Sequence, residues 1–320
     1  MGRELAQAGV LDESASPCPR FAVLLAAYNG MQWLPEQLDS ILNQVSVDVT
    51  VYVSTDRSND GTHAWVCDVA DTDPRIVPLI YGEVFGGAAK NFFRLLRDVD
   101  LEPFDYIAFA DQDDVWLLDK LNIAHRHIMS RGCDGYSSNV TAFWPDGRRA
   151  LVNKSQAQVK WDYHFEAAGP GCTYVMTTAL ASAIKHCVIK HRQRVDEVAL
   201  HDWFCYAFAR AKEYRWYIDP MPSMLYRQHE NNQFGVNSGS KAFRSRVSRV
   251  FNGWWLDQVR LISGILETRD LILIPRLDTS YRMALFGLSL RAWQCRRRLC
   301  DKFFFVLICW ALIFKGPSNG

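Results

Sequence analysis

The sequence predicts an α/β fold: a doubly wound, mostly parallel sheet flanked by helices, followed by a helical, basic and apolar C-terminal extension. Short apolar runs, such as 21–27 and 106–110, have the length and composition of buried strands. Segments between them place apolar residues at helical spacing, as at 33–42, and clusters of turn residues separate the two kinds of segment. Strands that alternate with helices in this way pack as a parallel sheet with helices on both faces.

The elements follow in regular order over the first half of the chain and less regularly over the second. The predicted strands are 21–27, 47–54, 75–81, 106–110, one or two within 134–151, and then 173–176, 216–218 and 224–229. The predicted helices are 33–42, 63–69, 91–97, 179–186 and 198–211. The stretch 230–240 is rich in Asn, Gly and Ser and is expected to be a mobile loop.

Composition and charge exclude several classes of protein. The formal net charge is +1 at pH 7, which argues against a nucleic-acid-binding protein. The nine cysteines contain no Cys-x-x-Cys pair, so neither a zinc framework nor a redox motif is visible. Residues 1–20 are polar and lack the apolar core of a signal peptide. These observations predict a protein of the reducing cytoplasm whose thiols are free.

Three carboxylates follow the apolar run 106–110 within four positions: Asp111, Asp113 and Asp114. Like charges this close repel each other, and burying them without a partner is costly. The carboxyl ends of parallel strands are where open α/β sheets bind ligands, and oxygen ligands suit Mg²⁺ or Mn²⁺. A divalent-cation site is therefore one interpretation. A solvated acidic turn that precedes a helix is the other.

The C-terminal region combines basic residues with large apolar ones. Between 241 and 302 there are thirteen Lys and Arg side chains but five Asp and Glu. The stretch 243–255 has the pattern of an amphipathic, basic, tryptophan-bearing helix, and 303–314 is an unbroken apolar run after the arginines at 296–298. This run is shorter than the roughly 18–20 residues that span a bilayer. It is expected to lie in a membrane interface with its basic flank in the cytoplasm, or to pack on the protein as a buried helix with an arginine-coated outer face.

The chain lacks the two common phosphate-binding loops. The stretch 86–91 does not have P-loop spacing, and no Gly-x-Gly-x-x-Gly follows the first strand. Five ordered motifs offer another arrangement. They are Ala26-Ala27-Tyr28-Asn29-Gly30, Asp56-x-Ser58-x-Asp60-Gly61-Thr62, Asp111-x-Asp113-Asp114-Val115-Trp116, His201-Asp202-Trp203 and Tyr226-Arg227-Gln228-His229. Together they resemble glycosyltransferase family 2, and most of all its bacterial rhamnosyltransferase-like branch, over residues 20–235. The resemblance implies the GT-A fold.

The resemblance also implies a pocket for a nucleoside diphosphate sugar. Asp56, at a strand end, would accept a hydrogen bond from the imide N–H of uracil or thymine. An Asx turn or a helix N-cap is the structural alternative for this residue. The other residues expected in this pocket are Ala27, Tyr28, Asn29, Lys90 and Asn91. Tyr28 as plain core and Lys90 as a solvated surface lysine remain open.

The contacts to metal and diphosphate follow from the same resemblance. Asp111 would contact the ribose or the metal, and Asp113 would bind the metal, which is either Mg²⁺ or Mn²⁺. His229 is a further candidate ligand, although a lone histidine is more often structural. Arg227 would clamp phosphate or pair on the surface. The cation would stabilise the negative charge of the leaving diphosphate.

Asp202 is the candidate general base. It lies near the start of an apolar helix, where the helix dipole favours its ionised form. A carboxylate beside an acceptor hydroxyl can take its proton as the anomeric carbon is attacked. The alternative is a helix cap, with His201 in the core. Gly171 and Trp203 would shape the acceptor side, and Trp203 could equally be a core residue.

The resemblance implies an inverting, metal-dependent glycosyltransferase. Its expected donor is dTDP-L-rhamnose, with a UDP-hexose as the alternative, and its expected acceptor is a glycan or lipid-linked glycan of bacterial surface polysaccharide or O-antigen. A nucleotidyltransferase and a non-catalytic glycan- or membrane-binding protein are the rival classes. The expected organisation is a leader at 1–19, a catalytic domain at 20–235 and a membrane-associating region at 241–320. Within the domain, 20–120 would bind the nucleotide sugar and 121–235 the acceptor, at the cytoplasmic face of the inner membrane.

Overall fold

The computed structural model describes residues 18–229, 252–268 and 281–316. Its strands are β1 (Arg20–Ala27), β2 (Asp48–Thr55), β3 (Ile76–Pro78), β4 (Tyr106–Asp111), β5 (Val115–Trp116), β6 (Gly135–Ser138), β7 (Val140–Phe143), β8 (Arg149–Val152), β9 (Val175–Thr177), β10 (Trp216–Asp219) and β11 (Met224–Arg227). Its helices are α1 (Leu34–Leu42), α2 (Thr62–Ala70), α3 (Ala88–Asp98), α4 (Lys120–Arg131), α5 (Thr178–Lys190), α6 (Arg192–Val195), α7 (His201–Ala211), α8 (Trp254–Leu266), α9 (Tyr281–Leu290), α10 (Ala292–Cys295) and α11 (Leu299–Lys315). Two short 3-10 turns, Asp162–His164 and Gly171–Thr173, lie before β9.

The described strands form two sheets. The larger has the order β10-β6-β9-β4-β1-β2-β3, and all its neighbours are parallel except β9, which runs antiparallel to both β4 and β6. The smaller sheet has the order β5-β11-β7-β8. The mixed α/β architecture with a mostly parallel central sheet confirms the predicted fold class.

The central strands β1 and β4 lie side by side because both are almost continuously apolar and buried on both faces. Their register pairs Ala26 with Asp111, while β1 also pairs Ala27 with Thr55 of β2. The carboxyl ends of three neighbouring strands therefore meet at one edge of the sheet. This edge holds the first three sequence motifs, as an open α/β sheet predicts.

Two hydrophobic clusters cover the two faces of the larger sheet. One packs α1 and α4 against β1 and β2, with Leu38 and Leu121 in its centre. The other packs α3, α5 and α7 on the opposite face, through residues such as Phe92 and Phe204. The C-terminal helices extend this second cluster, since Phe305 and other side chains of α8 to α11 belong to it.

The structure differs from several predicted boundaries. The strand expected at 75–81 is only three residues long, because it ends at Pro78, which has no N–H to donate. The helix expected from 198 begins at His201. The small sheet was not predicted, since β5 is only two residues long. The expected loop at 230–240, most of the leader at 1–19 and the 243–251 part of the basic helix lie outside the described residues.

The C-terminal helices pack on the catalytic sheet rather than standing apart from it. Trp255, predicted to lie in a membrane interface, instead packs between Phe165 and Phe305 with ring centroids 5.7 Å from each. Arg297, predicted as part of a cytoplasmic flank, is buried and paired with Asp162. These two expectations are therefore wrong for the side chains concerned. Of the helices described, none is both long and apolar enough to cross a membrane.

Candidate active site

The carboxyl end of β4 carries the acidic cluster. Asp111 and Asp113 are partly accessible, whereas Asp114 is fully buried. Burial, together with the charges of Asp113 and Asp202, raises the pKa of Asp111 to about 7. The cluster therefore concentrates more negative charge than its surroundings neutralise.

His229 lies against this cluster. Its Nε2 is 2.7 Å from Oδ2 of Asp113, and its ring stacks on Trp33 with centroids 4.0 Å apart. Strand β11 brings it there, because Leu225 pairs with Val115 directly after the acidic motif. The pairing of β11 with β5 thus brings together the motifs at 111–116 and 226–229, which are more than a hundred residues apart in the chain.

A short segment of chain connects the acidic cluster to Asp202. Cys172 contributes its sulfur to a group with Asp111 and Asp114 in which the polar atoms lie within 4.8 Å of one another. At the preceding residue, a Cβ on Gly171 would stand 3.1 Å from Cβ of Asp202. The charge of Asp202 also raises the pKa of Asp111. The two predicted catalytic centres therefore lie close together, with residues 171–172 between them.

Asp202 lies in the first turn of α7. Its Oδ1 accepts a hydrogen bond of 2.7 Å from the backbone N–H of Trp203. Burial raises the pKa of Asp202 to about 6, although hydrogen bonds from the backbone partly oppose this shift. A carboxylate with this pKa is mostly ionised at neutral pH and is a stronger base than an exposed aspartate.

Gly171 is required by its neighbours. A Cβ at this position would stand 2.6 Å from Nε2 of His201. The imidazole of His201 is held in place by stacking on Phe92, with centroids 3.9 Å apart. Burial lowers the pKa of His201 to about 3, so the ring is neutral. A side chain at 171 would therefore have to displace the ring of His201 and would closely approach Cβ of Asp202.

Gln112 holds the motif at residues 26–30, which follows β1, close to the acidic cluster. Its amide oxygen accepts from the N–H of Tyr28 at 2.7 Å, and its amide nitrogen donates to the Tyr28 carbonyl at 2.9 Å. Gly30 leaves the room for this side chain. Tyr28 itself is 56% exposed, which excludes the core alternative for it. Sequence reasoning missed Gln112, which lies between the two aspartates expected to bind metal.

The comparison with known proteins agrees with this geometry. The sequence model for glycosyl transferase family 2 matches residues 22–169. The dTDP-rhamnosyl transferase RfbG of Shigella flexneri is 43% identical over 291 residues, which cover 91% of this chain and 100% of that protein. The chain belongs to glycosyltransferase family 2. It is a glycosyltransferase, as the five motifs predicted.

Solved structures of other glycosyltransferases share the fold of this family 2 protein. TarS 1–349 of S. aureus in complex with UDP-GlcNAc matches with a TM-score of 0.52 and 14% identity, covering 94% of this chain and 93% of that one. The mannosyltransferase PcManGT of Pyrobaculum calidifontis, in complex with GDP-Man and Mn2+, matches with a TM-score of 0.50 and 15% identity, covering 93% and 88%. These matches confirm the predicted GT-A architecture.

The residues at the end of β4 fit a divalent cation. Asp113 and His229 lie 2.7 Å apart and offer oxygen and nitrogen donors. Oxygens of Asp111 and Asp114 and the sulfur of Cys172 lie within 4.8 Å of one another, and this is the described group whose spacing could hold a cation. Behind them, Oδ2 of the buried Asp114 has no hydrogen-bond partner within the described part of the chain. A bound cation would relieve this excess of negative charge.

A buried layer supports the cluster from below. Lys120 is fully buried, and its Nζ lies 3.6 Å from the centroid of the Trp116 ring. Burial lowers the pKa of Lys120 to about 7, while the charge of Asp114 opposes this shift. Asp114 also accepts a hydrogen bond from the backbone N–H of Arg227 at 3.2 Å. The side chain of Asp114 therefore ties the acidic motif to β11.

Asp56 lies at the end of β2 and is almost fully buried. Its two oxygens accept hydrogen bonds from the backbone N–H groups of Phe85 and Gly86, each at 3.0 Å, and one also accepts from Arg57. Asn29, in a left-handed conformation with φ of 45°, is tied to Ser58 by its N–H. Asp56 thus holds the loop before α3 against the end of β2.

The structure corrects three expected contacts. Trp203 is buried and donates its indole N–H to the carbonyl of Tyr163 at 2.9 Å, so its ring is a core element and not an acceptor platform. Asn91 is also buried, and its amide donates to the carbonyl of Ser54 at 2.9 Å. It therefore joins α3 to β2 instead of facing ligand. Arg227 donates to the Asp113 carbonyl at 2.8 Å and pairs with Glu36, which makes it a brace for the metal-site loop.

The remaining predicted residues lie around the same edge. Ala27 is buried and its carbonyl accepts from the N–H of Asp56 at 2.8 Å, which aligns the ends of β1 and β2. Lys90 is exposed in the first turn of α3. Its side chain is therefore accessible from solvent.

Proposed function

We propose that this protein transfers L-rhamnose from dTDP-L-rhamnose to a hydroxyl group of a glycan or lipid-linked glycan, with inversion at the anomeric carbon. The observation that supports the reaction type is the proximity of the acidic end of β4 and Asp202, which lie on either side of residues 171–172. The donor is inferred from the full-length likeness to a protein named as a dTDP-rhamnosyl transferase. We further propose a role in bacterial surface polysaccharide or O-antigen synthesis, at the cytoplasmic face of the inner membrane.

The donor side of the proposed reaction belongs to the first half of the chain. Asp56 would exchange one of its hydrogen bonds to the loop at 85–86 for the imide N–H of thymine. The exposed ring of Tyr28 and the side chain of Lys90 would contact the nucleotide. Asp111, Asp113 and His229 would hold Mg²⁺ or Mn²⁺, which supplies positive charge to the diphosphate oxygens.

The acceptor side belongs to α7 and the segment before β9. Asp202 would take the proton of the acceptor hydroxyl while its oxygen forms a bond to the anomeric carbon of the sugar. The bond between that carbon and the diphosphate oxygen breaks in the same step, and the nucleoside diphosphate leaves with the electron pair. One displacement inverts the configuration and needs no covalent enzyme intermediate. Gly171 keeps the space beside Asp202 open.

A donor panel tests the proposal directly. The purified full chain is incubated with Mn²⁺ or Mg²⁺ and either dTDP-L-rhamnose or UDP-hexoses, and thermal stabilisation and donor turnover are measured. We expect dTDP-L-rhamnose to give the largest stabilisation and cation-dependent turnover. Asp113→Ala is expected to lose the cation-dependent turnover. Asp202→Asn is expected to lose transfer activity but to keep its affinity for the donor. A preference for a UDP-hexose would overturn the donor assignment, whereas full activity of both variants would overturn the site assignment.

A further inference from the structure

The helices α9, α10 and α11 carry a continuous surface of exposed aromatic and aliphatic side chains, here called the C-terminal apolar face. Phe286 of α9 contacts Trp310 of α11 with ring centroids 6.0 Å apart, and Trp293 of α10 contacts Phe303 of α11 at 5.5 Å. All four side chains are between 42% and 55% exposed, so these contacts join the exposed surfaces of three helices. The other large exposed side chains of these helices are Met283, Leu290, Leu299, Phe304, Leu307 and Phe314.

Helix α11 is apolar on both of its sides. Phe305, Cys309 and Leu312 follow helical spacing and are buried against the rest of the protein. The outward side carries Leu307 at 64% exposure and Phe314 at 79%. A helix on the surface of a globular protein normally turns a polar side to water. An exposed apolar area of this kind marks a surface that binds a partner or a membrane.

The charge around the apolar face identifies the kind of partner. Residues 281–316 contain seven Lys and Arg side chains and one acidic residue, Asp301. Arg297 is buried and Arg296 is partly buried on the protein side, whereas the remaining basic residues at the helix surfaces are Arg282, Arg291, Arg298, Lys302 and Lys315. Aromatic and aliphatic side chains surrounded by basic ones complement an anionic lipid surface, into which the apolar groups enter while the basic groups meet headgroups.

The apolar face starts beside the acceptor side of the cleft. Arg296, just before α11, donates to the carbonyl of Phe165 at 3.1 Å, and the backbone N–H of Arg297 donates to Glu166 at 2.7 Å. These contacts tie the start of α11 to the segment that leads to Gly171, where an added Cβ would lie 3.1 Å from Cβ of Asp202. One end of the apolar face is therefore joined to the chain segment that ends beside the candidate base.

We propose that the C-terminal apolar face docks on an anionic bilayer and brings the acceptor side of the cleft to the lipid surface, where it meets a lipid-linked acceptor. The proposal rests on the function proposed above and adds the surface, the partner and the orientation. Docking buries the exposed apolar side chains of α9–α11 and pairs the basic rim with phosphate headgroups. The helices lie along the interface, in keeping with their length and with their packing on the catalytic sheet.

Vesicle flotation of the full chain tests the proposal. Phosphatidylcholine vesicles are compared with vesicles in which a third of the lipid is phosphatidylglycerol, at low and high salt. We expect co-flotation with the anionic vesicles, which salt weakens by screening the basic rim. Leu307→Asp and Phe314→Asp are expected to reduce binding about tenfold or more, because each places a charge in the apolar area. Met129→Asp on α4 replaces a side chain of similar exposure outside the face and should bind like the wild type.

Light scattering and donor turnover separate this proposal from its rivals. Absence of binding, or equal binding to neutral and anionic vesicles, would overturn it. A stable dimer that Leu307→Asp converts to a monomer would show instead that the face joins two copies of the chain. Hydrolysis of dTDP-L-rhamnose without vesicles should be the same in the wild type and in Leu307→Asp. If neither protein hydrolysed dTDP-L-rhamnose, the proposed function would be wrong. Binding to anionic vesicles would still show whether the C-terminal apolar face docks on a membrane.

Discussion

The environment of Asp202 combines features that suit a general base. Burial raises the pKa of its carboxyl to about 6, and the backbone N–H of Trp203 fixes one of its oxygens. In the proposed reaction this carboxyl takes the proton of the acceptor hydroxyl. At neutral pH most of the carboxyl is ionised, so it is both available and basic.

Transfer activity should depend on the ionisation of Asp202. Because the ionised form is the base, kcat/KM is expected to fall as the pH falls through about 6, by up to about tenfold for each further pH unit. Asp202→Asn should lower kcat by roughly 10²–10⁴-fold, the usual contribution of a general base. Binding of dTDP, measured by thermal shift, should be unchanged. A variant with wild-type kcat would remove Asp202 from the mechanism.

Gly171→Ala should lower kcat while leaving nucleotide affinity unchanged. The new methyl group would lie 2.6 Å from Nε2 of His201 and 3.1 Å from Cβ of Asp202, so the start of α7 must move. Gly87→Ala is the matched control, since no atom lies within 4 Å of its added Cβ. The double variant Gly171→Ala/His201→Ala should recover part of the lost activity, because it removes the imidazole. Equal kinetics for the wild type and Gly171→Ala would contradict this account.

Asp111→Asn should stabilise the metal-free protein while it abolishes cation-dependent activity. The pKa of Asp111 is about 7 in the folded state, above its value of about 3.9 in an unfolded chain. The folded state thus binds the proton more tightly, and the free energy of unfolding falls as the pH rises from about 4 to 7. The Tm of Asp111→Asn should exceed that of the wild type at pH 8 and approach it at pH 5. Mn²⁺ should raise the Tm of the wild type alone.

At the level of elements, the segment 161–168 joins the C-terminal helices to the acceptor side of the sheet. Asp162 is fully buried and accepts hydrogen bonds from Tyr206 at 2.9 Å, Arg210 at 2.9 Å and Arg297 at 3.2 Å. The backbone N–H of Arg297 also donates to Glu166 at 2.7 Å. Both the main chain and the side chain of Arg297 are therefore hydrogen-bonded to this segment. Removing one partner of such a buried network leaves uncompensated charge.

Arg297→Met is therefore expected to lower the free energy of unfolding by roughly 3–5 kcal/mol, measured by urea denaturation. Arg298→Met, at the next position, replaces an exposed arginine for which the structure shows no buried ion pair. Its effect should stay within about 0.5 kcal/mol. Similar effects of the two substitutions would show that the three arginines act as one basic flank, as the sequence pattern alone suggested.

At the level of the whole molecule, the catalytic sheet and the C-terminal helices share one hydrophobic cluster. Phe305 of α11 is 2% exposed and packs against Phe165 and Trp255, and the same cluster continues to Phe92 and Phe109 at the sheet. Regions that share a core in this way unfold together. The described helices of the C-terminal region, which is expected to associate with a membrane, therefore pack on the catalytic sheet.

We expect one cooperative thermal transition for the chain, reported equally by far-ultraviolet circular dichroism and tryptophan fluorescence. Phe305→Ala should shift the whole transition, because it opens a cavity that costs about 3–5 kcal/mol. Phe304→Ala is the control, as its side chain is 51% exposed. Two separate transitions, with only one affected by Phe305→Ala, would show that the helices fold independently.

The amino-acid sequence by itself indicated most of the strands and helices of residues 20–227, the edge of the sheet that carries the candidate site and the candidate metal carboxylates Asp111 and Asp113, but not the helix Lys120–Arg131. Apolar runs and turn residues can be recognised locally in the sequence. Once the strands are predicted to be parallel, their carboxyl ends are expected at the same edge of the sheet. The sequence also singled out Asp202, through the resemblance of His201-Asp202-Trp203 to a family motif and the place of Asp202 near the start of a predicted helix.

Only the tertiary structure decided which of the remaining candidates can face a ligand. Trp203 and Asn91 have the right residue types, but long-range packing buries both and uses their donors elsewhere. Gln112, and the pairing of β11 with β5 that brings His229 to Asp113, depend on contacts between segments far apart in the chain. The arginines at 296–298 divide into a buried partner of Asp162 and an exposed residue for the same reason. Sequence patterns reflect local conformational preferences. The burial of a side chain and its hydrogen-bond partners depend instead on which distant segments of the chain pack against it.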